Sequence, residues 1–83
     1  MSVQHPGEVI QAAVEASGLT LRQVGEKVGI SHATLSRLIN KKAQLTAEAA
    51  VKLGGFCNET PLALLSIQNR YDLAQIMGDD AQI

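Results

Sequence analysis

Cysteine is almost absent from this 83-residue chain, where Cys57 stands alone. An intramolecular disulfide and a cysteine-based metal site are thereby excluded. Histidine is scarce as well, with only His5 and His32. Ligation generally takes three or four convergent groups, so neither a metal nor a cofactor is expected. The aromatics are Phe56 and Tyr71, and there is no tryptophan. A core must then be built from Leu, Val, Ile and Ala, which favours packed helices over a sandwich or barrel. Apolar runs long enough to span a bilayer are missing, as is a signal-peptide pattern at the start. A soluble, cytoplasmic protein with no membrane contact is the expectation. The length suggests one domain over residues 1–83, with 1–4 and 79–83 as flexible ends. A domain of this size buries roughly 60–65% of its surface, so its stability is marginal unless it gains a partner or dimerises.

A surplus of positive charge is also missing, for the net charge is −1. The distribution matters more than the total. Between residues 20 and 52, Arg22, Lys27, Arg37, Lys41, Lys42 and Lys52 stand against Glu26 and Glu48. Elsewhere Arg70 stands against Glu8, Glu15, Glu59, Asp72, Asp79 and Asp80. A basic middle between acidic ends suggests a nucleic-acid face and a different role for the rest.

What is present is a series of helix signals. The central one runs from Thr20 to Lys42. Thr20 with Gln23 three residues on makes a capping box, and Leu21, Val24 and Val28 form its apolar stripe. Gly29 falls where a helix end calls for a left-handed residue. Gly25, costly inside a helix, leaves room for another helix to approach. Ser31 is an N-cap for the next helix, whose stripe is Leu35, Leu38 and Ile39. Two short helices joined by a Gly-containing turn are the signature of a helix-turn-helix.

Angular arithmetic assigns the faces of the second helix. At about 100° per residue, Thr34, Leu35, Leu38 and Ile39 lie on the inner side. Ala33, Ser36, Arg37 and Asn40 lie on the outer side, with His32 at its edge. This outer set is the candidate base-reading group. Arg37 leads it, because a guanidinium can bridge guanine O6 and N7, while Ala33 suits a thymine methyl. Thr20, Arg22, Ser31, Thr34, Lys41 and Lys42 are candidates for phosphate contacts.

Three further helices flank this unit. Pro6 and Glu8 open the first, with Val9, Ile10, Ala13 and Val14 as its stripe and Ser17-Gly18 as its end. Leu19 should pack back on it, and His5 reads as a terminal or capping residue. Thr46 caps the fourth, from Ala47 to about Phe56, with Ala50, Leu53 and Phe56 at core spacing and Asn58 to end it. Cys57 reads as a small buried apolar residue. Thr60-Pro61 starts the fifth, and Gly78 stops it. Its apolar residues wrap more than one face. The surplus, represented by Leu62, Leu65, Tyr71, Leu73 and Ile76, suggests a dimer or partner surface.

His5-Pro6-Gly7-Glu8-Val9-Ile10, Gly18-Leu19-Thr20, Leu45-Thr46, Ile67-Gln68 and Tyr71-Asp72-Leu73 resemble the HigA-type antitoxins, within the lambda-repressor-like, Xre-type helix-turn-helix proteins. The similarity runs from His5 to about Leu73. It implies an all-α, five-helix, lambda-repressor-like domain with the helix-turn-helix at helices 2 and 3. It also implies a homodimer that binds an inverted-repeat, double-stranded DNA operator and represses its own operon. The partner implied is a HigB-type toxin, an mRNA-cleaving endoribonuclease, which the antitoxin neutralises. Ala33, Ser36, Arg37 and Asn40 match the groove-facing positions of the family's recognition helix. Two departures stand out. Lys41 occupies a position where glycine is common, so Asn40 is expected to take the left-handed conformation in its place. Ala63-Leu64 replaces an aromatic pair near the start of the last helix. With no long extension beyond that helix, toxin contact is expected from the helical domain or its ends.

Two other readings stay open: a free-standing Xre-type repressor, and a toxin-binding module without DNA binding. An enzyme is not expected. His32 and Ser36 are one helical turn apart, but no third group orients the histidine.

Overall fold

The computed structural model describes residues 4–78. Residues 1–3 and 79–83, which the sequence reading assigned to flexible ends, lie outside the described part; Gln4 is exposed immediately before the first helix. Five helices follow: α1 Pro6–Ser17, α2 Leu21–Val28, α3 His32–Ile39, α4 Ala47–Gly54 and α5 Pro61–Met77. The described residues contain no strand.

Each helix starts on the residue that the local chemistry favours. Hydroxyls of Thr20, Ser31, Thr46 and Thr60 accept backbone N–H groups three residues on, satisfying donors that have no partner inside the helix. At α1 the cap is His5, whose Nδ1 accepts from the Gly7 N–H at 2.9 Å, while Glu8 accepts from the His5 N–H at 2.9 Å. His5 is therefore a cap, as expected, but a buried one. Its ring meets Tyr71 of α5 edge-on at 4.6 Å.

The core draws on every helix. Ile10, Val24, Leu35, Leu38, Ala50, Leu53 and Leu64 are buried, joined by Leu45 from the α3–α4 loop. Full burial of each large aliphatic is worth about 1.5–3 kcal/mol. α4 packs on α5, α2 on α3, and α1 on both α3 and α5. Gly7 permits the α1–α3 approach, since a Cβ there would collide with the Leu38 carbonyl oxygen.

Two expectations need correction. α4 ends at Gly54 rather than near Phe56, because the Glu59 N–H bonds the Gly54 carbonyl at 2.9 Å and Asn58 turns left-handed at φ 56°. Phe56 packs half-buried on the core from the turn beyond. Gly25 makes room, as expected, for the inter-helix turn and the start of α3, since a Cβ there would meet the Ile30 carbonyl oxygen at 2.5 Å and the His32 N and Leu35 Cδ1 at 3.5 Å. At the end of α3, Asn40 is not left-handed (φ −86°), whereas Lys41 is, at φ 62°. The hydrogen bonds explain why. Lys42 N–H reaches the Arg37 carbonyl at 2.8 Å and Lys41 N–H the Leu38 carbonyl at 3.2 Å. This is a Schellman motif, which requires the left-handed residue at position 41 whatever its side chain.

Candidate nucleic-acid interface

α3 is held from behind and open in front. Leu35 and Leu38 are 0% and 1% exposed, which locks the rod to the core. His32, Ala33, Arg37 and Asn40 are exposed, and Ser36 is half-buried. Thr34, placed on the inner side by angle alone, is exposed at the flank. There the Ser31 hydroxyl donates to its Oγ1 at 2.8 Å, and both residues border a groove shared with Thr46 and Lys52 of the α4 region.

The polar groups of the outer face are pre-set by local bonds. Asn40 Nδ2 donates to the Ser36 carbonyl at 2.9 Å and to its hydroxyl at 3.4 Å. The Arg37 guanidinium makes one long hydrogen bond, Nη2 to the Lys42 carbonyl at 3.4 Å. Such a bond costs little to exchange for a base edge, because the guanidinium presents five donors. Arg37 is thus outward and not folded into the protein.

The candidate phosphate residues flank this face. Thr20 and Arg22 lie at the start of α2, and Arg22 shares a cleft with Ser31, His32 and Glu26. Lys41 and Lys42 follow α3 in the 40–46 loop. Of the basic side chains between 20 and 52, Lys41 pairs with Glu8 at 3.7 Å and Lys52 with Glu48 at 3.1 Å. Arg22, Lys27, Arg37 and Lys42 form no ion pair among the described residues. They are the charges free to meet an anion.

The candidate partner residues lie elsewhere, on α5. Leu62 and Ile76 are 74% and 82% exposed, and Leu73 and Met77 are also exposed. Leu65 is half-buried on the core, and Tyr71 is half-buried with its ring perpendicular to that of His5. Leu62 lies near the start of α5 and Ile76 near its end. Ala63 is half-buried and Leu64 fully buried.

Two supporting roles escaped the sequence reading. Lys52 Nζ donates to the Gly29 carbonyl at 3.2 Å, tying α4 to the turn between α2 and α3. Gln68, buried on α5, accepts the Leu45 N–H at 2.8 Å and donates to Asp72 at 2.9 Å. Both bonds to the chain span 23 residues, which no local pattern announces. Two groups have shifted pKa values. Burial, then the charge of Lys41, hold the His5 imidazole below its ordinary 6.5, against the opposing pull of Glu8 and Asp72. Burial, then Glu59, raise the Cys57 thiol, which leaves it an inert packing residue. Among the described residues no cluster of three or more His, Cys, Asp or Glu could hold a metal. No helix there is long and apolar enough to cross a membrane.

Comparison with known proteins places the chain in context. A helix-turn-helix family model matches residues 10–65. An HTH-type transcriptional regulator of Escherichia coli K12, YddM, whose role is uncharacterised, is 36% identical over 70 residues, covering 84% of this chain and 74% of that protein. Antitoxin HigA-1 of Vibrio cholerae is 37% identical over 68 residues, covering 81% of this chain and 64% of that protein. The chain therefore spans a little under two thirds of the Vibrio antitoxin. Pseudomonas aeruginosa antitoxin HigA, solved with the higBA promoter, superposes with a TM-score of 0.78 at 16% identity over 96% of each chain.

Proposed function

This chain belongs to the helix-turn-helix family, with HigA antitoxins and Xre-type regulators among its homologues, and on that premise we propose that it is a DNA-binding antitoxin that represses its own operon. The fold is the lambda-repressor-like one, and the family is one of DNA-binding regulators, not enzymes. In this reading the chain acts as a homodimer. Two copies of α3 enter successive major grooves about 34 Å apart on an inverted repeat. Arg37 reads guanine, with His32, Ala33, Ser36 and Asn40 completing the base-facing set. Lys42 and Arg22 hold phosphates, aided by Thr20, Ser31, Thr34 and Lys41. The dimer mate and a HigB-type ribonuclease toxin meet the apolar surface of α5 or the ends of the domain.

The observation that carries this proposal is the contrast across α3. Leu35 and Leu38 are fully buried, while Arg37 between them is exposed. A helix anchored so firmly, with an exposed guanidinium outward, is suited to docking on a rigid duplex. That a HigA antitoxin of the same fold has been solved with the higBA promoter supports the DNA-binding reading.

Arg37→Ala tests the assignment. It should cost about 1–3 kcal/mol of operator affinity and relax preference at one base position. Unchanged base preference in that variant sinks the role given to Arg37. The antitoxin half is tested by co-expression with the product of the adjacent gene. Growth arrest that this chain does not relieve removes it.

A further inference from the structure

The 40–46 loop carries Lys41 and Lys42 between two anchors. One is the Schellman motif at the end of α3. The other is Leu45, whose side chain is 4% exposed and whose N–H donates to Gln68. That N–H precedes the N-cap of α4 and has no helical partner of its own. Gln68 is itself 4% exposed and spends both ends of its amide, since Nε2 is held by Asp72, one turn along α5. Gln68 and Asp72 line a single hollow with Lys41 and Lys42.

We propose that Gln68 is a positioning residue for DNA binding, acting through the loop that presents Lys42 to a phosphate. The inference rests on the DNA-binding reading above. A loop fixed at one end only stays open for much of the time, and an open loop carries Lys42 out of reach of its phosphate, so that the contact is lost. Gln68 closes the second end. It does so from α5, a helix that takes no part in the helix-turn-helix, so the register of the DNA-facing loop is set from outside the motif. Lys52 on the Gly29 carbonyl is a comparable tether for the turn, but it is exposed and shared with Glu48. The buried Gln68 is the firmer of the two.

The test uses the full chain, with a random-sequence duplex and the duplex upstream of its own reading frame. Gln68→Met keeps length and volume but neither hydrogen bond. It should bind about tenfold more weakly, and its slope of log affinity against log salt should fall by about 1, the signature of one lost phosphate contact. Amide exchange at Leu45 and Lys42 should quicken, while that of Leu35 and Leu38 stays slow. Adding Lys42→Ala to Gln68→Met should cost much less than Lys42→Ala alone, because the contact is already lost. If Gln68→Met does not unfold cooperatively, Asp72→Ala takes its place. It frees one end of the same amide and should show the same changes on a smaller scale. A folded variant with wild-type affinity and salt slope, or strict additivity with Lys42→Ala, overturns this inference alone. A wild-type chain with no salt-sensitive duplex binding overturns the DNA reading, and this inference with it.

Discussion

Lys41 offers a sharp test of the backbone argument, because it holds a glycine's position without being one. At φ 62° its Cβ crowds the following carbonyl, a strain of roughly 1–2 kcal/mol. Glycine removes that strain, although its greater freedom in the unfolded chain opposes the gain by roughly 0.5–1 kcal/mol. The Glu8 ion pair is 3.7 Å long with both groups nearly half exposed, so its loss costs about 0–0.5 kcal/mol. Lys41→Gly should therefore be about 0.5 kcal/mol more stable than the wild type. Lys41→Ala keeps the crowded Cβ and loses the same ion pair, so it should be slightly less stable. The gap between the variants, about 1 kcal/mol, corresponds to a difference in Tm of about 4–8 °C for a domain this size. Helical circular dichroism against temperature, and against urea with equal slopes required, measures it. An alanine variant as stable as the glycine one would refute the claim that backbone strain at position 41 is relieved only by removing Cβ.

Gly7→Ala should be destabilised by about 1–3 kcal/mol, because its Cβ would press on the Leu38 carbonyl and the Ile39 Cα, backbone that cannot swing aside. A urea midpoint within error of wild type would contradict the close α1–α3 packing. The His5 pKa is depressed in the folded state, so the folded chain binds fewer protons than the unfolded one near that pKa. The stability this confers is complete above 6.5 and is lost as the pH falls through the lower, folded value. Urea midpoints should therefore drop from pH 7.5 to 5.5, and His5→Asn, which keeps an N-cap acceptor without titrating, should flatten that drop. An equal slope in both proteins would assign the effect to other groups.

The helix starts were legible because their causes lie within three or four residues. The hydroxyls of Thr20, Ser31, Thr46 and Thr60 and the backbone N–H groups they accept are neighbours in the chain, so spacing alone locates them. The outer face of α3 was legible for the same reason, since Leu35 and Leu38 set its back and Arg37 falls opposite. Thr34 was misplaced because angle says which way a residue points but not how far a neighbouring helix reaches to cover it. The apolar excess on α5 was visible as a count. Of the residues named for it, Leu62, Leu73 and Ile76 are exposed, whereas Leu65 and Tyr71 are half-buried, because the core and His5 cover them.

The sequence by itself determined which segments become helices, where they begin, and which side of α3 carries its polar groups, since each depends on interactions one helical turn apart. Only the tertiary structure decided that His5 is buried against Tyr71 and that Gln68 holds the Leu45 N–H. These depend on groups brought together from distant parts of the chain. No local spacing encodes them.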